Sequence, residues 1–276
     1  MKRGKLKNIL RKLGLLKFVS FLLSFFKKKY SWQTDIDSNG FKIKYFGTKY
    51  GGWSFVEDES LENSIIISAG LGEDASFDIE FASKYNARII FVDPTPRAID
   101  HYDQIIDSLG KPSSKNYTNH GKQPIEAYNL SKFNEENFTL VKKALWNKNE
   151  KIKFYNPINP NHVSHSISNF QNNYSKDTSF IKVQSITIDK LLNDLEINKQ
   201  DITLMKLDIE GAEIEVINDC MNKGFLPRQI LVEFDELSNP SKNVYMRVTE
   251  IHDLLTQNKY KLLRRDGISD FLYYRP

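Results

Sequence analysis

Three carboxylates lie close together in the stretch LMKLDIEGAEIEVI, residues 204–217: Asp208, Glu210 and Glu213. The residues before them, DITLMKL, are typical of a buried strand, and the following GAEIEVINDCMNKG is typical of a helix that ends at Gly224. Carboxylates are costly to bury, so this turn must lie at a solvent-open rim or beside a ligand. Asp208 is therefore the first candidate for chemistry, as a general base or as a metal ligand.

An oxygen-rich divalent site is one interpretation of these acids. Asp208, Glu210 and Glu233 together would suit Mg²⁺ or Mn²⁺. The alternative is that Glu210 and Glu213 only shape the start of the helix and complement its dipole. His162 and His165, in NHVSHS on a long polar loop, are the other candidates for a base. That loop would then be a substrate lid, and the alternative is an ordinary solvent-exposed loop.

Continuous apolar stretches alternate with amphipathic ones over the middle of the chain. SIIISAG (64–70) and ARIIFVD (87–93) predict buried strands, and the residues after each, 73–86 and 96–109, predict helices. Residues 138–146 and 151–156 predict two further strands, RQILVEFDEL predicts another, and YKLLRRDGISDFLYYR predicts a closing hairpin. Apolar strands that alternate with helices indicate an α/β fold, with a parallel sheet covered on both faces.

The ends of the strands carry the residues expected to bind a nucleoside. In such sheets ligands bind outside the carboxyl ends of the strands. Gly70 and Gly72 let the backbone approach a ligand, and Asp93 is placed to accept hydrogen bonds from ribose hydroxyls. A glycine turn and a capping aspartate are common without any ligand, but their combination in one βαβ series favours a nucleoside site.

The residues after Gly70 bear on which nucleoside binds. They read G-L-G-E-D-A, with Ala75 at the third glycine of the dinucleotide fingerprint. Glu73 and Asp74 would repel a pyrophosphate at the start of the following helix. A cofactor without phosphate, such as S-adenosylmethionine (AdoMet), fits better than NAD.

Several segments resemble the FkbM-type family of AdoMet-dependent methyltransferases. LMKLDIEGAEIEVI is similar to its K-x-D-[IV]-E-G-A-E signature, and AGLGEDASFDIEF and FVDPTPRAI resemble the glycine loop and second-strand motif of one branch. The resemblance covers roughly residues 65–236. It implies a Rossmann-like class I methyltransferase fold, with a mostly parallel central sheet, helices on both faces and a C-terminal antiparallel hairpin. It also implies O-methylation of sugars or other small hydroxylated metabolites.

The resemblance also implies roles for single residues. It places Gly70, Gly72, Asp93 and Pro94 around the cofactor, and Ala144, Leu145 and Trp146 where the adenine rests. Trp146 either stacks on the adenine or belongs to the core or a lid. Many such enzymes carry an acid at the start of the glycine motif. Ser68 or Ala69 stands there in this chain, so Glu73 or Asp74 is the expected substitute.

The N-terminal segment has a different character from the rest. The ten basic residues among 2–29, with no acid, leave 29 bases against 35 acids in residues 30–276, a net charge of −6. An acidic body argues against nucleic-acid binding. The apolar run 13–26 is too short to span a bilayer, and no cleavage site follows it. An interfacial helix on an anionic membrane is the first interpretation; packing on the domain or on a partner subunit, and a signal-anchor, are the others.

These observations give the following expectations for the whole chain. Residues 1–30 form a basic amphipathic helix, 31–62 a transition region, and 63–276 the methyltransferase domain. We expect an AdoMet-dependent O-methyltransferase, cytoplasmic and peripheral on the inner face of a membrane, with a small-molecule or glycan acceptor and a capacity to form homo-oligomers. The alternatives are an NAD-dependent oxidoreductase on a Rossmann fold and a catalytically silent scaffold anchored through its N-terminal helix.

Overall fold

A computed structural model describes residues 30–157, 164–169, 172, 175–238 and 243–276. The predicted N-terminal helix lies, apart from Tyr30, outside the described residues, as does His162. The strands, in chain order, are β1 (Ile43–Phe46), β2 (Trp53–Val56), β3 (Ile65–Ala69), β4 (Arg88–Val92), β5 (Phe138–Val141), β6 (Ala144–Leu145), β7 (Lys151–Tyr155), β8 (Phe180–Ile186), β9 (Ile202–Leu207), β10 (Gln229–Glu233), β11 (Lys261–Asp266) and β12 (Asp270–Tyr274). The α-helices are α1 (Ser76–Tyr85), α2 (Pro96–Ile106), α3 (Ile188–Asp194), α4 (Glu213–Asn222) and α5 (Val244–Gln257). Short 3₁₀ turns occur at Ser31–Gln33, Glu59–Leu61, Ile125–Ala127, Glu135–Asn137, Lys199–Asp201 and Asp235–Leu237.

A seven-stranded sheet with the order β11-β12-β10-β9-β3-β4-β5 forms the centre of the fold. The strands from β10 to β5 in that order run parallel, and β12 pairs antiparallel with both β10 and β11. The predicted α/β fold, its mostly parallel sheet and its C-terminal hairpin are confirmed. Since β3 and β4 lie side by side and β9 joins the other edge of β3, the loops after these three strands meet at one end of the sheet.

Both faces of the sheet are covered, as the continuous apolar strands predicted. On one face Ile67 and Met205 belong to the same buried cluster as Ile217 of α4 and Val248 of α5. On the other face the buried cluster includes Ile66, Leu204 and Phe91 of the sheet, Phe77 and Phe81 of α1, and Phe55 of β2. Neighbouring residues of each strand therefore serve opposite layers, which explains why the strands show no alternation of polar side chains.

The stretch 138–146, predicted as one strand, is divided in two. β5 ends at Val141 and joins the large sheet, whereas β6 begins at Ala144 and pairs with β8 in a separate three-stranded sheet with β7. Lys142 and Lys143 occupy the break, and the Lys143 N–H bonds back to the Val141 carbonyl at 2.8 Å. The two lysines keep their charges out of the layer interface, and this bend turns Ala144 and Leu145 toward the carboxyl end of the large sheet.

Residues 31–62 are packed against the central domain rather than set apart from it. Trp32 is fully buried and stacks on Tyr245, with a ring centroid separation of 6.1 Å. The Gln229 side chain pairs with the backbone of Val56, accepting from its N–H and donating to its carbonyl, both at 2.8 Å. The β1–β2 hairpin is thereby fixed beside β10. Among the described residues, no helix is long and apolar enough to cross a membrane.

Candidate active site

A cavity of about 650 Å³ opens at the carboxyl ends of the parallel strands. It lies where sequence reasoning placed the ligand, in the crevice between the loops after β3, β4, β9 and β10. Most of the predicted site residues line it: Gly70, Gly72, Glu73, Asp74, Asp93, Pro94, Ala144, Leu145, His165, Asp208, Glu210 and Glu233. The cavity therefore brings the expected cofactor residues and the expected acidic residues into one space.

Gly70 joins these two groups of residues by direct backbone contact. It has a φ of +85°, and a Cβ built on it would lie 1.8 Å from the Asp208 carbonyl oxygen. The Asp208 N–H donates to the Ala69 carbonyl at 3.0 Å, and the Gly70 N–H donates to the Val92 carbonyl at 3.1 Å. A side chain at position 70 is excluded twice, by the left-handed backbone and by the neighbouring strand.

Asp93 fastens the glycine turn to the tip of β4. Its Oδ2 accepts the N–H groups of Leu71 and Gly72 at 3.0 and 3.1 Å, and its Oδ1 accepts the N–H and hydroxyl of Thr95 at 2.8 and 2.7 Å. Four donors match the number of lone-pair positions that a carboxylate offers. In this structure Asp93 therefore shapes the turn, and a ribose hydroxyl would have to share these oxygens.

Glu73 and Asp74 are both engaged by protein groups. The Glu73 carboxylate pairs with Arg97 and, at 3.0 Å, with Lys122. Asp74 accepts hydrogen bonds from Thr48 at 2.7 Å, from Gln123 at 3.1 Å and from the N–H of Ser76 at the start of α1. Because two cations neutralise Glu73, this residue repels a pyrophosphate less strongly than the sequence indicated.

Ala144 and Leu145 form an apolar wall beside the glycine turn. Both are buried, and with Val92 and Pro94 they line one side of the cavity. Trp146 lies outside this lining: its side chain packs against the core cluster under α4 and α5. Of the interpretations of Trp146, stacking on adenine or membership of the core or of a lid, this packing matches membership of the core.

The opposite side of the cavity is acidic. Asp208 is half-buried at the end of β9, and burial, together with the charge of Glu233, raises its pKa to about 7. Burial also raises the pKa of Glu233 to about 7, and the charge of Asp270 adds to that rise. Glu233 and Asp270 are directly opposite each other on β10 and β12, an arrangement of like charges that disfavours ionisation of both.

The acids that converge most closely are Asp208, Glu210 and Asp235, since one carboxylate oxygen of each lies within 4.8 Å of the others. This group differs by one member from the predicted set of Asp208, Glu210 and Glu233. Glu233 points along the wall, where its Oε1 accepts a hydrogen bond from the Ser269 hydroxyl at 3.1 Å. Asp235 follows in the 3₁₀ turn after β10, two residues later. The sequence signal for Asp235 was its position two residues after Glu233, at the end of a predicted strand.

Glu213 has a structural role. Its carboxylate reaches back to accept the N–H groups of Ile209 and Gly211, at 3.0 and 3.1 Å, and is 1% exposed. It therefore satisfies backbone donors of the turn that carries Glu210, which has a φ of +54°. Asp208 and Glu210 thus face the cavity, and Glu213 holds their turn in shape.

His165 lies half-buried on the cavity wall, next to Ser166, whose hydroxyl donates to the Glu210 carbonyl at 2.7 Å. That bond ties the long polar loop to the acidic turn. The loop position predicted for His165 is thus at the cavity, whereas its role as a base stays a prediction.

Sequence reasoning missed the part of the cavity that comes from the β1–β2 hairpin. Lys49, Tyr50, Gly51 and Trp53 line it. The Thr48 hydroxyl accepts the N–H groups of Tyr50 and Gly51 at 3.1 and 3.0 Å while it donates to Asp74, which fastens the turn to the start of α1. The glycines at 47, 51 and 52 signalled a tight turn, but nothing local in the sequence showed what it covers.

A buried ion pair lies below the cavity. Lys206, on β9, places its Nζ 3.3 Å from Asp78 Oδ2 on α1, and the two side chains are 3% and 0% exposed. Lys206 also lines the cavity, two residues before Asp208 and on the same side of the strand.

Comparison with known proteins identifies the family of the chain. A family model described as "Methyltransferase FkbM domain" matches residues 73–262. Among solved structures, the crystal structure of M. jannaschii TYW2 in complex with AdoMet is similar at 10% sequence identity; the match covers 85% of this chain and 88% of that one, with a TM-score of 0.32. No curated protein matches the chain. The family match extends over more than half of the sequence, and the chain belongs to the FkbM methyltransferase family.

Proposed function

We propose that this methyltransferase is AdoMet-dependent and transfers a methyl group to a hydroxyl of a sugar, a glycan or another small hydroxylated metabolite. The observation that carries the proposal is the contact between Gly70 and the Asp208 carbonyl. It places a narrow backbone turn suited to a cofactor directly beside half-buried carboxylates suited to an acceptor.

The residues of the cofactor half fit AdoMet. In the turn 70–72 the two glycines carry no side chain, so a ligand can lie against the backbone there. Ala144 and Leu145 present a buried apolar wall of the kind that accommodates an adenine ring. The acidic wall on the opposite side of the cavity favours a cationic sulfonium over an anionic pyrophosphate. These groups support the proposal that this side of the cavity binds AdoMet.

When bound, AdoMet supplies an electrophilic methyl group on a positively charged sulfur. The protein must hold the acceptor oxygen in line with that group and remove the hydroxyl proton. Asp208 can contribute in two ways. It can take the proton directly, since a carboxyl whose pKa is raised to about 7 is matched to neutral pH, or it can bind a divalent cation that acidifies the hydroxyl.

The acceptor half of the cavity suits a polar ring. Trp53 and the exposed Tyr50 contribute aromatic surface, and the acidic wall contributes hydrogen-bond acceptors for hydroxyl groups. A sugar presents both an apolar C–H face and several hydroxyl donors, so it matches these two walls at once. We therefore favour a sugar or similar polyol over an aromatic acceptor.

Transfer of label from methyl-labelled AdoMet to a panel of hydroxylated and amino acceptors tests this function. The product, analysed by NMR, should carry an O-methyl group. Label on nitrogen would show a methyltransferase of another specificity. AdoMet binding without transfer to any acceptor would favour the silent scaffold, and binding of NAD(H) in place of AdoMet would favour the oxidoreductase.

We also propose that residues 2–29 attach the enzyme to anionic membrane surfaces. Ten basic residues that flank an apolar run, one of them within it, support this by electrostatic attraction and burial of the apolar side. Liposome flotation of the full chain and of a variant that begins at Tyr30 tests it. Flotation of the full chain alone, and only with anionic lipid, is expected; equal behaviour of the two would contradict the proposal.

A further inference from the structure

The acidic cluster at the cavity contains three carboxylates that arrive from separate positions in the chain. Asp208 follows β9, Glu210 lies in the turn before α4, and Asp235 follows β10. One oxygen of each lies within 4.8 Å of the others. Ligands on opposite sides of a Mg²⁺ ion are about 4.2 Å apart, so small side-chain rotations bring the three oxygens to coordination distance.

Asp235 gives an independent reason to expect a ligand. Its Oδ2 atom is fully buried and, within the part of the chain that the structure describes, has no hydrogen-bond partner. The residue lines the cavity. A buried carboxylate oxygen that lacks a donor is costly, and native proteins satisfy nearly all such atoms. A cation bound in the cavity would satisfy it.

The neighbouring acids are not equivalent to these three. Glu213 is occupied by the N–H groups of Ile209 and Gly211, and Glu233 accepts a hydrogen bond from Ser269. The geometry thus separates the three converging carboxylates from two acids, Glu213 and Glu233, that lie within three residues of them in the sequence. This separation yields matched variants for a test.

We propose that Asp208, Glu210 and Asp235 bind one divalent cation, Mg²⁺ or Mn²⁺, and that the acceptor coordinates this cation through two neighbouring oxygens. The second part rests on the proposed methyltransferase function. Three protein ligands leave three positions of an octahedral ion open. A vicinal diol or a hydroxy acid would fill two of them and water the third. Of the two roles available to Asp208, this assigns it that of a ligand.

Titration of Mn²⁺ into the full-length protein, freed of metal with EDTA and dialysed, tests the site directly. Calorimetry and the electron paramagnetic resonance signal of free Mn²⁺ should both show one ion bound per chain. Asp235→Asn should weaken binding by more than about 10-fold, and Glu233→Gln, which removes a neighbouring charge but no ligand, should weaken it severalfold less than Asp235→Asn does. Glu210→Gln, expected to behave like Asp235→Asn, serves if the latter fails to fold.

Absence of Mn²⁺ binding to the wild-type protein would overturn the proposal, as would equal binding to wild type, Asp235→Asn and Glu210→Gln. Loss of binding in Glu233→Gln alone would overturn the assignment of ligands. AdoMet is titrated into the same samples without metal. AdoMet binding without Mn²⁺ binding removes the cation site and leaves the methyltransferase function intact, whereas the reverse result removes the function and leaves the site.

Discussion

Gly70 and Asp208 meet just beyond the carboxyl ends of β3 and β9, where a Cβ on Gly70 would lie 1.8 Å from the Asp208 carbonyl oxygen. Two loops that are 138 positions apart in sequence are thereby fixed relative to one another. Any shift of the Asp208 turn displaces the glycine turn as well. The two sides of the cavity are therefore connected by this backbone contact.

Gly70→Ala should consequently lower both stability and cofactor binding. Gly267, in the closing hairpin, has a φ of +62° with nothing within 4 Å of its Cβ position. Gly267→Ala therefore measures only the cost of holding alanine in the left-handed backbone conformation. We expect about 1–2 kcal/mol for Gly267→Ala. For Gly70→Ala we expect a loss of unfolding free energy of at least about 3 kcal/mol, because the backbone at Gly70 or Asp208 must move to admit the methyl group. Urea unfolding measures both, and equal losses would show that the close contact is unimportant.

The pair formed by Lys206 and Asp78 gives a prediction about buried charge. Lys206→Met leaves the fully buried Asp78 carboxylate without its cation and should cost about 3–5 kcal/mol of unfolding free energy. The double variant Lys206→Met, Asp78→Leu removes both charges and should recover most of that loss. Thermal and urea unfolding provide the comparison. A double variant as unstable as the single one would mean that the lysine stem, rather than the ion pair, is what matters.

His101 should contribute a loss of stability in acid. The Ala75 N–H donates to the Tyr128 hydroxyl at 2.9 Å, which leaves the tyrosine proton for His101 Nε2, also at 2.9 Å. Burial lowers the pKa of His101 to about 4, from 6.5. The unfolded chain then binds the proton more readily than the folded one between these values. Stability contributed by the neutral imidazole is present above pH 6.5 and is lost as the pH falls toward 4, by about 3 kcal/mol.

The pH dependence of urea unfolding, measured from pH 7 to 4, tests this. As the pH falls from 7 to 4, the unfolding free energy of His101→Gln should gain about 3 kcal/mol relative to that of wild type, whereas the difference between the exposed His120→Gln and wild type should stay constant. Identical slopes for wild type and His101→Gln would contradict the role given to His101.

Thr48 should control the hairpin that closes the acceptor side. Thr48→Val keeps the shape of the side chain but removes the hydroxyl that bonds Asp74, Tyr50 and Gly51. We expect a stability loss of about 1–3 kcal/mol and a several-fold rise in the acceptor KM. AdoMet affinity should change little. Thr178→Val, at a half-buried position with one solvent-exposed bond to the Ser175 carbonyl, is the control. An unchanged acceptor KM would separate the hairpin from substrate binding.

The sequence predicted those features that depend on local patterning. Apolar strands identified the parallel sheet, and acids or glycines at strand ends identified Gly70, Asp93 and Asp208 as cavity residues. The β1–β2 hairpin could not be predicted, because its position depends on contacts such as that between Gln229 and Val56, far apart in the chain. Glu213 and Asp235 were equally hard to classify. A carboxylate that caps a turn and one that faces a cavity have the same sequence signature, and only the fold tells which donors are near.

Calorimetric titration of AdoMet and S-adenosylhomocysteine into the purified protein, with NAD(H) as the comparison, tests the central claim most directly. We predict binding of both sulfur nucleosides and not of NAD(H). Asp93→Ala should abolish that binding, because it releases the N–H groups of Leu71 and Gly72 that shape the turn, while Asp100→Ala at an exposed position of α2 should retain it. Binding of NAD(H) alone, or of no nucleoside, would contradict the account.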